Sequence, residues 1–269
     1  MLRKRLIFVL IYCDGFFMQS RNFSLQKVGG IEWIEENYDL RNISFALDEI
    51  VVLNVSKNKR SEEFYEVLKR IAEDVFIPIS AGGGIRSFID VVRLFESGAD
   101  KVVINKILYS NPNLVKKIIN TYGSQSVIAS VDIKDKKVLL DSATLEIDVE
   151  PKDYFKNIIR MKVGEILLNS VERDGTGFGY DFEMINSLIS SCSVPVIISG
   201  GAGNGKHLLE GLLLDNVSAV STANLFNFVG DSLSVSRKEI IKSSGELLVS
   251  WDSRLMGRLN NKFQKHIYG

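Results

Sequence analysis

Apolar residues gather along the chain into eight short, nearly unbroken runs, at 6–12, 49–55, 76–81, 101–105, 126–133, 165–169, 194–199 and 217–223. Runs of this length without polar alternation predict strands covered on both faces, as in a parallel sheet. Between most of them the apolar spacing changes to that of a helix. Phe64, Val67, Leu68, Ile71 and Val75 fall on one face of a helix that Ser61 would open. Asn111 followed by Pro112 signals a cap and first turn, with Leu114, Val115, Ile118 and Ile119 as the buried stripe. Ser87, with Asp90 three residues on, has the spacing of a capping box. Eight strands alternating with helices fit a closed parallel barrel, and an open doubly wound sheet would alternate in the same way.

An internal repeat separates the two. Glu49-Ile50-Val51-Val52 is echoed by Glu165-Ile166-Leu167-Leu168, and Ser80-Ala81-Gly82-Gly83-Gly84 resembles Ile198-Ser199-Gly200-Gly201-Ala202-Gly203. The fourth run ends in Asn105 and the eighth is followed by Asn224. Two halves of roughly 120 residues, four strand–helix units in each, predict a (β/α)8 barrel (TIM barrel) with a twofold half-barrel repeat. No linker divides the halves, so 1–245 is expected to be one domain and 246–269 a C-terminal tail. In that tail Trp251, Leu255, Leu259 and Phe263 share a weak helical face.

Composition narrows the chemistry. The 269 residues are 45% hydrophobic, enough for a full core, and carry 33 basic and 33 acidic side chains with no long block of either sign. A nucleic-acid footprint is therefore not expected. Cys13 and Cys192 stand far apart without metal-ligand spacing, and His207 and His266 are the only histidines, which argues against a disulfide framework, a zinc site and a histidine-based triad. No cofactor is expected. Arg3, Lys4 and Arg5 ahead of the first run resemble the start of a signal peptide, but Cys13-Asp14-Gly15-Phe16 offers no small-residue cleavage site. The run is also far shorter than the ~20 residues of a membrane span. A buried first strand in a cytoplasmic protein accounts for it better.

In such a barrel the working face lies at the C-terminal ends of the strands. Glycines follow the third run (Gly82, Gly83, Gly84), the sixth (Gly175, Gly177, Gly179) and the seventh (Gly200, Gly201, Gly203). Bare backbone N–H groups near helix starts suit phosphate. Their symmetric placement predicts two anion sites across one mouth, hence an elongated ligand with a phosphate at each end. Asp132 ends the fifth strand and Asp174 follows the sixth, and either could act as general acid or base. By the repeat, Asp132 should have a counterpart at position 11, which is Ile.

MLRKR, FIPISAGGGIRS, ESGADKVVIN, NPNLV, YGSQSVIASVDIK, GEILLNSVERDGT, GYDFEMI and VPVIISGGAG occur in that order over roughly the first 245 residues. Together they resemble the cyclase subunit of imidazole glycerol phosphate synthase. That resemblance implies a barrel that receives ammonia from a separate glutaminase through its axis and uses it on a bis-phosphorylated aminoimidazole ribulose compound. It implies phosphate contacts at Gly83, Gly84 and Asn105 on one side and at Gly175, Gly200, Gly201, Ala223 and Asn224 on the other. It also implies an ammonia gate at the barrel base made of Arg5, Glu49, Lys101 and Glu165, and a glutaminase contact at Asp100. A closed salt-bridge plug would use the same four charges.

The mouth departs from the family pattern. Ile11 stands where the family has a catalytic Asp, Gln19 where it has Lys, Asn54 where it has Asp and Lys106 where it has Thr, and the stretch 134–150 lacks the family's Gly and Thr loop. Losing one of two acid/base groups costs a factor of about 10² or more in rate. An intact base below an altered mouth points to retained ammonia delivery and a changed phosphorylated acceptor. Divergent relatives of this kind accompany bacterial surface-polysaccharide genes, where a third protein assists amidation of a sugar. A genuine histidine-pathway cyclase using Asp132 and Asp174, and a catalytically silent barrel that activates a glutaminase, are the alternatives.

Overall fold

A computed structural model describes residues 4–57, 62–190, 192–230 and 232–244. The elements run β1 (Arg5–Cys13), β2 (Phe16–Arg21), β3 (Ser24–Gly29), α1 (Ile31–Asn37), β4 (Glu49–Asn54), α2 (Glu62–Asp74), β5 (Ile79–Gly82) and α3 (Phe88–Glu96). They continue with β6 (Lys101–Ile104), α4 (Lys106–Ser110), α5 (Pro112–Tyr122), β7 (Val127–Lys134), β8 (Lys137–Leu140), β9 (Leu145–Ile147) and α6 (Pro151–Arg160). The last are β10 (Glu165–Ser170), α7 (Phe182–Ile189), β11 (Val196–Ser199), α8 (Gly205–Leu212), β12 (Val217–Thr222) and α9 (Ser232–Ser244).

Eight strands pair in parallel around a closed ring, β1-β4-β5-β6-β7-β10-β11-β12, and β12 returns to β1 with Arg5 opposite Ala219. Side chains alternate across each strand. One set fills the axis: Ile7, Val9, Val51, Val103, Ile128, Leu167, Ile197 and Ala219 form an apolar layer. The other set meets the helices, where Phe64, Leu68, Ile71, Val115 and Ile118 bury the predicted stripes. Asn111 accepts from the Leu114 N–H at 3.1 Å with Pro112 in the first turn, and the Asp90 carboxylate accepts from the Ser87 N–H at 2.8 Å, as the capping signals require. Ser61, the N-terminal residues 1–3 and the tail with Trp251, Leu255, Leu259 and Phe263 lie outside the described residues.

Two features were not predicted. The third apolar run predicts a strand over 76–81, but the strand begins at Ile79, after Pro78, and Phe76 is 79% exposed at the barrel base. Proline lacks the N–H that a ladder needs, so pairing starts beyond it. The second feature is a pair of hairpins: β1 runs on into antiparallel β2 and β3, and β7 into β8 and β9. They occupy equivalent places in the two halves. Each first turn has two left-handed residues, Asp14-Gly15 and Asp135-Lys136, the geometry that suits a two-residue hairpin.

Helix α9 is pinned to the base by a buried pair. Arg237 donates to both Asp48 carboxylate oxygens at 3.0 Å, and Asp48 also accepts from the Leu6 N–H at 2.7 Å; both side chains are 3% exposed. The last described helix is thereby tied to the chain that leads into β4. Among the described residues, no helix is long and apolar enough to cross a membrane.

Candidate functional site: the two ends of the barrel axis

At the base, four axis positions carry charge in place of apolar side chains. Arg5 donates to Glu49 at 2.9 Å and to both oxygens of Glu165, one of them at 3.2 Å. Lys101 donates to Glu49 at 2.9 Å and to Glu165 at 2.7 Å. Ser80 also donates to Glu49. Each cation therefore touches both anions in a closed quartet, directly beneath the apolar layer. Burial alone would raise the Glu165 carboxyl, but the hydrogen bonds and charges of Arg5 and Lys101 outweigh it and hold the group below its usual value. Beside the ring, the exposed Asp100 spends its carboxylate on the Ile79 N–H at 2.8 Å.

At the opposite end lies a cavity of about 280 Å³. Val9, Ile11, Leu53 and Val55 with Phe23 and Leu25 of the first hairpin line part of it, and Ser130, Asp132, Asn169, Asp174 and Ser199 line another part. Asp132 is gripped from two sides, accepting from Asn169 at 3.0 Å and Asn105 at 3.2 Å. Burial pushes its carboxyl up to about 6; the Asn169 hydrogen bond pulls it back and the nearby Asp174 charge pushes it further up. A carboxyl in that range can exchange protons near neutral pH. Burial also raises Asp174, against hydrogen bonds from the Ser20 hydroxyl at 2.7 Å and from the Gly175 N–H. Both predicted acid/base residues thus face one cavity.

The second-half glycines form a small adjoining pocket of about 20 Å³ lined by Gly175, Gly177, Gly200, Gly201, Ala223 and Asn224, with Asp174 and Gln19 at its edge. Gly200 and Gly201 have φ of 93° and 104°, and a Cβ on either would stand 2.4 Å from the Ser170 carbonyl or 2.1 Å from that of Gly179. Only glycine fits there. Gly83 and Gly84 repeat the conformation with φ of 106° and 72°, and a Cβ on Gly83 would meet the Asn54 carbonyl at 2.0 Å. The two sides then diverge. Beyond Asp132, Asn105 uses its carbonyl oxygen on the Asp141 N–H at 2.9 Å, and Lys106 pairs with the Asp141 carboxylate at 2.9 Å. The predicted first-side contact Asn105 is therefore built into the mouth wall.

The other departures have structural occupations as well. Gln19 is buried and bridges the Leu225 N–H at 2.7 Å to the Ser20 carbonyl at 2.7 Å. Asn54 accepts from the Ser56 N–H at 3.0 Å, and Ile11 packs with Leu53 and Ala223 on the axis. Asn169, Ser20 and Asp141 are site residues that the sequence reading missed. Asn169 could have been found, since it shares one strand face with Glu165 and Leu167. Ser20 and Asp141 sit on the unpredicted hairpin strand and turn. Among the described residues, no cluster of three or more metal-ligating side chains occurs.

The sequence family described as histidine biosynthesis protein matches residues 41–230. A protein of Parasynechococcus marenigrum (strain WH8102), provisionally named imidazole glycerol phosphate synthase subunit hisF2, is 43% identical over 93% of this chain and 95% of its own length. Proteins named imidazole glycerol phosphate synthase subunit HisF from Hydrogenobaculum sp. (strain Y04AAS1) and Streptococcus gordonii (strain Challis) are 34% and 33% identical. They cover 85% and 88% of this chain, and 92% and 96% of their own lengths.

Proposed function

The chain belongs to the histidine biosynthesis protein family, alongside the imidazole glycerol phosphate synthase cyclase subunits, and from that premise we propose that it is the ammonia-accepting barrel of a glutamine amidotransferase pair. In this reading a partner glutaminase docks on the base around Asp100, and ammonia enters through the ring of Arg5, Glu49, Lys101 and Glu165. Lys101 is the flexible cation of the four, a point charge on a rotatable stem, so its swing would open the ring. Ammonia then meets a phosphorylated acceptor held by Gly175, Gly200, Gly201, Ala223 and Asn224, with Gly83, Gly84 and Asn105 on the far wall. Asp132 exchanges protons with the reacting nitrogen or carbonyl, and Asp174 is the second acid/base group.

One observation carries the reading: the charged quartet is complete while Ile11 fills the catalytic position on the first strand. An acceptor other than the histidine precursor, amidation of a surface-polysaccharide sugar with a third protein, accounts for that combination. A histidine-pathway cyclase remains the second reading because Asp132 and Asp174 face one cavity. The test is to co-express the chain with the glutaminase subunits of its own genome and to measure glutamine hydrolysis and ammonia-driven turnover of the bis-phosphorylated cyclase substrate. A complex that stimulates glutaminase while turning the histidine precursor over at least about 10²-fold below a true cyclase supports the proposal. No complex with any glutaminase sinks it, and full cyclase turnover promotes the second reading.

A further inference from the structure

The two half-barrels repeat each other in backbone but not in charge. On the second side, the glycine loop after β11 and the residues after β12 enclose a small pocket with no cationic side chain in its lining. On the first side, the corresponding loop after β5 shares a cavity with the turn between β8 and β9, and the residues after β6 are bonded to that turn. There Asp141, Ser142 and Ala143 take φ of 54°, 58° and 58° in succession. Non-glycine residues resist this conformation, and three in a row persist only where surrounding contacts hold them. Two of those contacts reach straight across to the loop after β6: the Asp141 N–H to the Asn105 carbonyl oxygen, and the Asp141 carboxylate to Lys106. The turn thus sets a carboxylate on the one lysine of the cavity wall.

The charge around the cavity fits this arrangement. Among the residues lining it, the cations are Arg86 and Lys106 and the carboxylates are Asp132, Asp141 and Asp174. Lys106 is already paired, so a ligand with a phosphate at each end would bring its second dianion toward an existing carboxylate. Like charges at close range repel strongly. We propose that Asp141 stands in for a ligand's second phosphate at Lys106, so that this barrel selects an acceptor with a single phosphate, seated at Gly200 and Gly201, and an uncharged, hydroxyl- or amide-bearing far end. The proposal rests on the phosphorylated-acceptor reading above and specifies the substrate class for it.

Inorganic phosphate is the probe. Crystals of the full chain soaked in phosphate, together with calorimetric titration, should show one site in the unmodified protein, near Gly201. Asp141→Asn should add a second site at Lys106, and Asp141→Asn combined with Lys106→Met should weaken that added site by about tenfold or more. Phosphate at both Gly201 and Lys106 of the unmodified protein, with Asp141 displaced, would overturn the single-phosphate proposal and leave the phosphorylated-acceptor reading intact. A single site in a folded Asp141→Asn protein also overturns it, because the carboxylate would then not be what excludes the second anion. No phosphate at Gly201 in any of the three proteins overturns both.

Discussion

The two ends of the barrel axis use ionisable side chains in opposite ways. At the base, Arg5, Glu49, Lys101 and Glu165 satisfy one another, and around Glu165 the two cations outweigh the burial that alone would neutralise it. At the mouth, Asp132 has two amide donors and no cation among its hydrogen-bond partners, so the same burial favours its neutral form. Folding therefore holds Glu165 ionised at the base and leaves a proton exchangeable on Asp132 at the mouth. The difference lies in partners, since both places are enclosed.

The base should be the more fragile end. Glu49→Gln leaves two partly buried cations with one full counter-charge, and breaking a fully buried pair from one side costs roughly 3–5 kcal/mol, the upper bound here. Denaturant unfolding should show a loss of about 1 kcal/mol up to that bound. A loss under about 1 kcal/mol would mean that water reaches the ring and that the contrast between the ends is false.

The mouth should respond with the opposite sign. The folded-state pKa of Asp132 is about 6 against an ordinary value of 3.8. The folded protein therefore holds more protons than the unfolded chain between those values, and its stability declines as pH rises through that window. At 1.36 kcal/mol per unit the penalty above pH 6 is at most about 3 kcal/mol. Asp132→Asn should thus raise the melting temperature at pH 8 and do little at pH 4, while ammonia-driven turnover falls by about 10² or more. An unchanged melting temperature at pH 8 would show that the carboxylate is hydrated.

Titration of the unmodified protein sharpens the comparison further. Glu165 is held below its usual value, so its contribution is present above the ordinary glutamate range and is lost as pH falls through the lower folded value. Stability should rise from pH 8 toward pH 5 as Asp132 protonates and then fall below about pH 4 as Glu165 does. A monotonic profile would remove one of the two ends from the argument. The smallest effect is expected for Asp141→Asn, whose pair with Lys106 is partly exposed at 28% and 42%. Such pairs are worth about 0–1 kcal/mol, so its melting curve should hardly move.

The alternation of buried strands and amphipathic helices was legible because burial on both faces writes apolar residues into every strand position. The base ring was legible too, through the repeat that aligns Glu49 with Glu165 and through the family resemblance. The hairpins were less so, for different reasons. Asp14-Gly15 is a two-residue turn signal, but it falls inside a stretch without the apolar alternation that marks a hairpin strand. Asp135-Lys136 and Asn22-Phe23 adopt the same left-handed geometry without glycine, and local sequence offers little warning of that. That Asn105 also ties the mouth wall together was not legible, because nothing in its own run shows that Asp132 and Asp141 converge on it. Such convergence belongs to the closed barrel and to a turn 36 residues away.

Closure through β1 and β12 has a consequence for the nascent chain. The β12 partner of Arg5–Phe8 begins at Val217, so during synthesis that stretch of β1, below its short pairing with β2, keeps one edge unpaired until about two hundred further residues have emerged. Pairings so distant in sequence form slowly, and an open apolar edge invites association with other chains. Asp48 must wait longer still, because its counter-ion, Arg237, arrives in the last described helix. Until Arg237 docks, that carboxylate is better left in water than buried alone. The barrel's window of vulnerability on the ribosome therefore runs from the emergence of β1 to that of the last described helix.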